Sequence, residues 1–290
     1  MKRCPSCEGT YASVEETCPV CGYQPRRING IAAYAPDLAL DADGFKPEYF
    51  EQLARLEAGN FWFKGRNRLI LWAMRTFCHR QQSFLEVGCG TGFVLSAVVE
   101  QNPETDAMGS ELFVDGLKIA AERVPSASFI QMDAREIPYV AEFDVVGAFD
   151  VIEHIEEDEI VLAQLHQALR KGGKLLLTVP QHKLLWSQAD VYACHKRRYS
   201  AKELHHKVRA AGFEIERTTS FVTTLLPAMV VSRLMGKKSS AEDFDETKEL
   251  ELPSWMNAVF YAMLRFELAL IRLGIGLPVG GTRMLVARKP

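Results

Sequence analysis

Apolar positions along the chain follow two rhythms. Short continuous runs at 83–87, 107–111, 128–132, 143–149 and 174–179 predict buried strands. Between them lie stretches with helical spacing: 61–80 (Phe61, Leu69, Trp72, Ala73, Phe77), 93–101, 114–124 and 157–169. Gly172-Gly173 predicts a helix stop. Ser200-Ala201-Lys202-Glu203 has the spacing of a capping box and predicts a helix over 201–211, closed by Gly212. Residues 213–219 alternate as a strand, and 282–289 predict a last strand. Strands alternating with helices imply a mostly parallel sheet of seven strands with helices on both faces, a Rossmann-like α/β fold.

Two segments break this rhythm. Residues 28–60 carry Pro36, Asp41, Asp43, Gly44 and Pro47 and are expected to be a linker and entry segment. Residues 221–281 are apolar and helical, split by a polar piece at 236–250 that predicts a mobile loop. In 255–273, Trp255, Val259, Met263, Phe266, Leu270 and Leu273 form one stripe, with Asn257, Tyr261, Arg265 and Arg272 on the other side. This helical insert is expected to be a lid, a homodimer face or a membrane-surface helix.

The 290-residue length fits about two domains. A composition of 48% hydrophobic and 24% charged residues excludes a disordered chain or a disulfide-stapled miniprotein. The net charge of −3 argues against DNA and disfavours RNA as partners. No apolar run follows Met1-Lys2-Arg3, and no stretch matches the roughly 18 uncharged residues of a membrane span. A cytoplasmic location is the expectation.

Cysteines cluster. Cys4, Cys7, Cys18 and Cys21 form two C-P-x-C turns ten residues apart, whereas Cys78, Cys89 and Cys194 are isolated. Paired thiolates at this spacing converge on one tetrahedral metal. Residues 1–27 therefore predict a small zinc ribbon, with iron or a redox pair as alternatives. Four thiolates close the site, so the metal is expected to hold structure rather than do chemistry.

Residues 84–92 (FLEVGCGTG) run from an apolar strand through a glycine turn into a helix. A dinucleotide fingerprint wants G-x-G-x-x-G, but its third glycine position is Phe93 here. Glu86, two residues before Gly88, is hostile to a pyrophosphate and favourable to a cation. The motif resembles the first motif of the class I S-adenosylmethionine-dependent methyltransferases. FDVVGAFDVIEHI (143–155) and LRKGGKLLLTVP (169–180) are similar to later landmarks of that family. The resemblance covers about 60–220 plus the last strand, within a methyltransferase domain of 61–290. It implies cofactor contacts from Glu86, Gly88 and Gly90, from Glu111 with Leu112 (ribose hydroxyls), from Asp133 with Ala134 (adenine), and from Phe149. FWFKGRN (61–67) resembles a segment of bacterial small-molecule members, in which Arg66 would pair with the methionyl carboxylate; a surface arginine is the alternative.

Methyl transfer needs an aligned nucleophile and the loss of a proton. His154 and His195 are the candidate catalytic residues. Asp150, Glu153 and His154 share a face if 150–154 is helical, and a related E-x-x-E-H arrangement helps bind a divalent metal in some quinone and RNA-end methyltransferases. A satisfied histidine at the pocket floor is the alternative. His195-Lys-Arg-Arg-Tyr199, before the capped helix, is a candidate acceptor contact or else a solvated charge run. His79, His166, His182, His205 and His206 carry no pattern. Three functions follow: methylation of a small, apolar or lipid-linked acceptor; methylation of RNA gripped by the ribbon; or a non-catalytic module that binds S-adenosylmethionine and recruits a partner.

Overall fold

The computed structural model describes residues 1–39, 47–79, 82–236 and 252–290. The polar piece expected as a loop, from 237 on, and Asp41, Asp43 and Gly44 of the expected linker lie outside the described residues.

The centre is a nine-stranded sheet. Its parallel core is β5 (Ser83–Val87), β6 (Asp106–Glu111), β7 (Ser128–Gln131), β8 (Phe143–Phe149) and β9 (Leu169–Pro180). At one side β11 (Thr282–Arg288) pairs antiparallel with both β9 and β10 (Glu214–Phe221). These seven strands, in the order β10-β11-β9-β8-β5-β6-β7, make a Rossmann-like methyltransferase fold. Every residue of β5 is buried, as expected for a strand covered on both faces.

Two cores cover those faces. On one, α5 (Asp158–Ala168) and α7 (Ala201–Ala210) bury Val161, Leu162, Leu165, Leu204 and Val208. On the other, α2 (Phe61–Phe77), α3 (Phe93–Gln101) and α9 (Ser254–Arg272) bury Leu69, Ile70, Val94, Leu95, Leu264 and Leu268. Gly65 of α2 permits the close crossing with α9, because a Cβ there would stand 2.6 Å from Leu264 Cδ1.

Three features differ from the sequence reading. Residues 28–60 are not just a linker. The hairpin β3 (Arg26–Ile28) and β4 (Ile31–Ala33) joins the sheet, β4 lying parallel to β7, and α1 (Pro47–Leu56) packs on α4 (Val114–Arg123). This brings the expected seven strands to nine. The helix also ends before Gly172-Gly173: Leu169 already pairs with Phe143, and Arg170–Gly173 bulge out before Lys174 resumes pairing at Val145.

The third difference concerns α9, where most of the expected apolar stripe points outward, with Met263 and Leu270 half-buried. Trp255, Val259, Phe266 and Leu273 are exposed. Of the expected polar side, Asn257 and Tyr261 are used internally, together with Glu267, while Arg265 and Arg272 stay exposed. Asn257 accepts from the Phe61 amide at 2.7 Å and donates to the Gly59 carbonyl. The Tyr261 ring lies under Lys64, and buried Glu267 accepts from the Thr224 amide. A helix apolar on most of its circumference is oriented by its few polar ties, since either side could be buried.

Residues 1–24 form the cysteine-bearing lobe, with β1 (Lys2–Arg3) paired to β2 (Thr10–Tyr11). It is sutured to the sheet domain. The Arg3 amide donates to the Pro138 carbonyl at 3.0 Å, the Val140 amide donates to the Met1 carbonyl, and the Ser13 hydroxyl donates to Glu142. No helix among the described residues is long and apolar enough to cross a membrane.

Candidate active site

A cavity of about 1120 Å³ opens where the parallel strands end, the place where open α/β sheets bind ligands. Its floor is the β5–α3 turn. Gly88, Gly90 and Gly92 all have positive φ, which keeps side chains out of that turn. Glu111 ends β6 and accepts from the amides of Gly90 (3.0 Å), Leu112 (2.7 Å) and Phe113 (3.3 Å). Burial raises its carboxyl, and those three amides pull it back. Glu86 is buried, and its Oε2 has no hydrogen-bond partner among the described residues. Burial raises its carboxyl to about 8, against the pull of Arg66.

All the residues assigned by resemblance to the cofactor border this one cavity: Arg66, Glu86, Gly88, Gly90, Glu111, Leu112, Asp133, Ala134 and Phe149. Two are held in ion pairs. Arg66 lies over the Trp62 ring at 4.5 Å and pairs with Asp150 at 2.5 Å. Asp133 is held by Arg135, whose Nε and Nη2 both reach it.

At the other end, residues 150–154 do not form the expected helical face. Asp150 has φ +57 and turns to Arg66 and the Thr178 hydroxyl, and Ile152–His154 is a single 3-10 turn. The residues brought together are Glu153, His154 and His195, not Asp150, Glu153 and His154. The two imidazoles meet edge to face, with centroids 4.7 Å apart. Burial, reinforced by His195, lowers His154 to about 4, so it is neutral and a weak base at ordinary pH.

In the basic run only His195 and its neighbours Lys196 and Arg198 reach the cavity. Arg197 pairs with Glu156 and Asp158, and the Tyr199 hydroxyl donates to Asp158 at 2.6 Å. These contacts fasten the loop rather than present it to a ligand.

Sequence reading missed Asp190, on α6 (Gln188–Tyr192). It accepts from His195 Nδ1 (2.9 Å) and Arg198 Nε (2.6 Å). Burial alone would raise its carboxyl, but these hydrogen bonds prevail and hold it near 2. The S-x-x-D capping spacing at Ser187 was the available signal. Also missed was Glu57, which takes Thr91 Oγ1 and Arg123 and so braces the glycine turn. From the stretch read as a linker, Tyr49, Phe50 and Leu53 roof the cavity.

The four cysteine thiols fit a metal. Cys4 and Cys21 Sγ are 3.6 Å apart, and Cys7 and Cys18 Sγ 3.7 Å. A tetrahedron with zinc–sulfur arms of about 2.3 Å has edges of about 3.8 Å.

Residues 51–218, more than half the chain, match the family model described as Methyltransferase domain, and the chain belongs to that family. A probable S-adenosylmethionine-dependent methyltransferase of Mycolicibacterium smegmatis is 26% identical over 55% of this chain and 62% of its own length. A trans-aconitate 2-methyltransferase of Azoarcus sp. is 26% identical over 34% of this chain and 39% of its own. The chain thus spans less than two thirds of these relatives. Among solved structures, phosphoethanolamine N-methyltransferase 2 of Haemonchus contortus with S-adenosyl-L-methionine aligns with a TM-score of 0.57 at 19% identity, covering 87% of this chain and 59% of that one. At that identity the likeness shows the fold.

Proposed function

We propose that this chain transfers the methyl group of S-adenosylmethionine to a small, largely apolar acceptor, while Cys4, Cys7, Cys18 and Cys21 hold a structural zinc. The observation that carries the cofactor assignment is the orphaned carboxylate oxygen of Glu86. A buried acid with one oxygen unpartnered among the described residues, beside a glycine turn, fits a cationic ligand and repels a pyrophosphate. The cofactor supplies an electrophilic methyl on a sulfonium. Glu86 faces its ammonium, Glu111 receives its ribose hydroxyls, Asp133 lies toward the adenine, and Arg66 lies toward the carboxylate. With His154 held down near 4, catalysis rests on alignment and exclusion of water more than on that imidazole as a base.

The acceptor class follows from the rest of the wall. Phe61, Trp62, Phe63, Leu225, Met229 and Phe260 line the end of the cavity toward α9 and α8 (Leu226–Gly236). The exposed stripe of Trp255, Val259, Phe266 and Leu273 supports an apolar surface, a membrane or a second copy, meeting the insert close by. The test is transfer of labelled methyl from S-adenosylmethionine into a bacterial extract, partitioned between organic and aqueous phases. Label in the organic phase is expected; label only in polar small molecules removes the apolar-acceptor reading, and label in RNA installs the alternative.

The zinc assignment has its own test. Purified protein is expected to carry about one zinc per chain. Cys18→Ser should lose it and lower the melting temperature, because the lobe is sutured to Pro138–Val140. Zinc-free protein with an unchanged melting temperature speaks against a metal role in stability.

A further inference from the structure

We infer that the outward side of α2 and α9 docks onto an anionic lipid bilayer, and that the acceptor is drawn from that bilayer. The docking stands on the surface alone. The source of the acceptor rests on the methyl-transfer reading above.

The apolar part of this surface is a ridge. Trp255 is 67% exposed, Val259 49%, Phe266 60% and Leu273 79%. At about 100° per residue they fall within roughly 40° of one another and run about 27 Å along α9. Ala258, Ala262 and Ala269, also exposed, lie beside them, so no charge falls within the ridge. Aromatic side chains lined up in water on this scale mark a contact with another apolar phase.

Which phase is read from the charge beside the ridge. The whole chain has a net charge of −3, yet this side of it is cationic. Lys64, Arg68 and Arg75 share the outer face of α2 by their spacing, and Arg265 and Arg272 share a line on α9. The two rows are neighbours. Lys64 and Arg68 both lie over the Tyr261 ring, at 4.5 and 5.6 Å, and Tyr261 stands one turn before Arg265. The three helices α2, α8 and α9 contain a single carboxylate, Glu267, and it is buried. The α9 cations thus flank the ridge, roughly 100° round the helix from it. This is the arrangement of a helix lying in a bilayer interface. Apolar side chains enter the acyl boundary, and long cationic side chains reach the anionic headgroups. A second copy fits less well. A two-fold contact would bring the cationic rows of both copies to one interface, with no exposed carboxylate on these helices to pair with them.

The ridge also adjoins the cavity. Leu252, three residues before Trp255, lines the cavity, as do Phe260 of α9 and Ala228 and Ser232 of α8. Ala228 and Ser232 are exposed, so the apolar end of the cavity reaches the surface of the insert. A bilayer at the ridge puts its acyl chains beside that wall, a short path for an apolar acceptor.

The test is flotation of full-length, zinc-loaded protein with vesicles of phosphatidylcholine, alone or mixed with phosphatidylglycerol. S-adenosylmethionine binding, melting temperature and sedimentation velocity are measured on the same samples. Flotation with the phosphatidylglycerol vesicles is expected, weakened by salt. Arg265→Gln with Arg272→Gln should lower that partition by roughly 10- to 30-fold. Trp255→Ser with Phe266→Ser should lower it by about tenfold or more. All four side chains are exposed, so melting temperature and cofactor affinity should stay as they are. No flotation, equal flotation with both kinds of vesicle, or undiminished flotation in the Trp255 and Phe266 variant overturns the docking. Two other occupants of the face give distinct results against it. A second copy gives a dimer that Trp255→Ser with Phe266→Ser returns to monomer, with vesicles unbound. The acidic stretch 242–251, with six carboxylates in the sequence, gives a monomer with vesicles unbound. Vesicle binding without S-adenosylmethionine binding would sink the methyl-transfer reading and leave the docking face standing.

Discussion

Glu111→Ala should weaken S-adenosylmethionine binding by about 100-fold or more. Two hydrogen bonds from ribose hydroxyls to an ionised carboxylate contribute on the order of 1.5 kcal/mol each, and each 1.4 kcal/mol is tenfold in affinity. The substitution also removes the acceptor of the Gly90, Leu112 and Phe113 amides. Gly90 stands at φ +53, and its amide is one of the three that Glu111 holds. The glycine turn should loosen, and the free protein should melt at a lower temperature. Glu111→Gln keeps one acceptor oxygen and should fall between alanine and the unsubstituted protein. Calorimetric titration decides: an affinity within threefold of normal in Glu111→Ala would mean that the carboxylate does not meet the ribose.

How much of this site could be seen in the sequence depended on whether a residue's role was local. Phe143–Phe149 and Phe93–Gln101 form the elements expected of them, since burial imposes a period that the residues carry themselves. The glycine turn and Glu86 were legible for the same reason: strand, turn and helix are contiguous. The hairpin Arg26–Ala33 was not. Its strands are short, begin with two arginines and sit at the sheet edge, where no apolar alternation is demanded. Asp190 was equally silent, because its meaning lies in His195 and Arg198, which a turn of chain brings back to it. The face of α9 was misread because apolar residues surround most of that helix. Its orientation is set by Asn257 and Glu267, whose partners lie 198 and 43 residues away.

The second large effect is on pH. Burial carries Glu86 from an ordinary 4.5 to about 8 in the folded protein. A group raised on folding binds more protons in the native state than in the unfolded one, so stability falls as pH rises across the interval from 4.5 to about 8. At pH 8 the cost is on the order of 4 kcal/mol. Glu86→Gln removes it and should make the free protein more stable at pH 8 than the parent, with little change at pH 5. Cofactor binding runs the other way. An ammonium against this carboxylate favours its ionised form, so binding expels the proton that Glu86 holds in the free protein. Affinity should rise by up to about tenfold per pH unit between roughly pH 5 and 7. It should level off near pH 8, where the cofactor's own amine begins to lose its proton. Glu86→Gln should flatten that slope and bind more weakly at pH 7. Stability and affinity thus pull in opposite directions on one carboxylate, the expected signature of an acid buried for a cationic ligand rather than for the fold. A flat affinity profile in the unsubstituted protein, with the stability gain in Glu86→Gln intact, would place the ammonium elsewhere and leave Glu86 as a buried neutral acid.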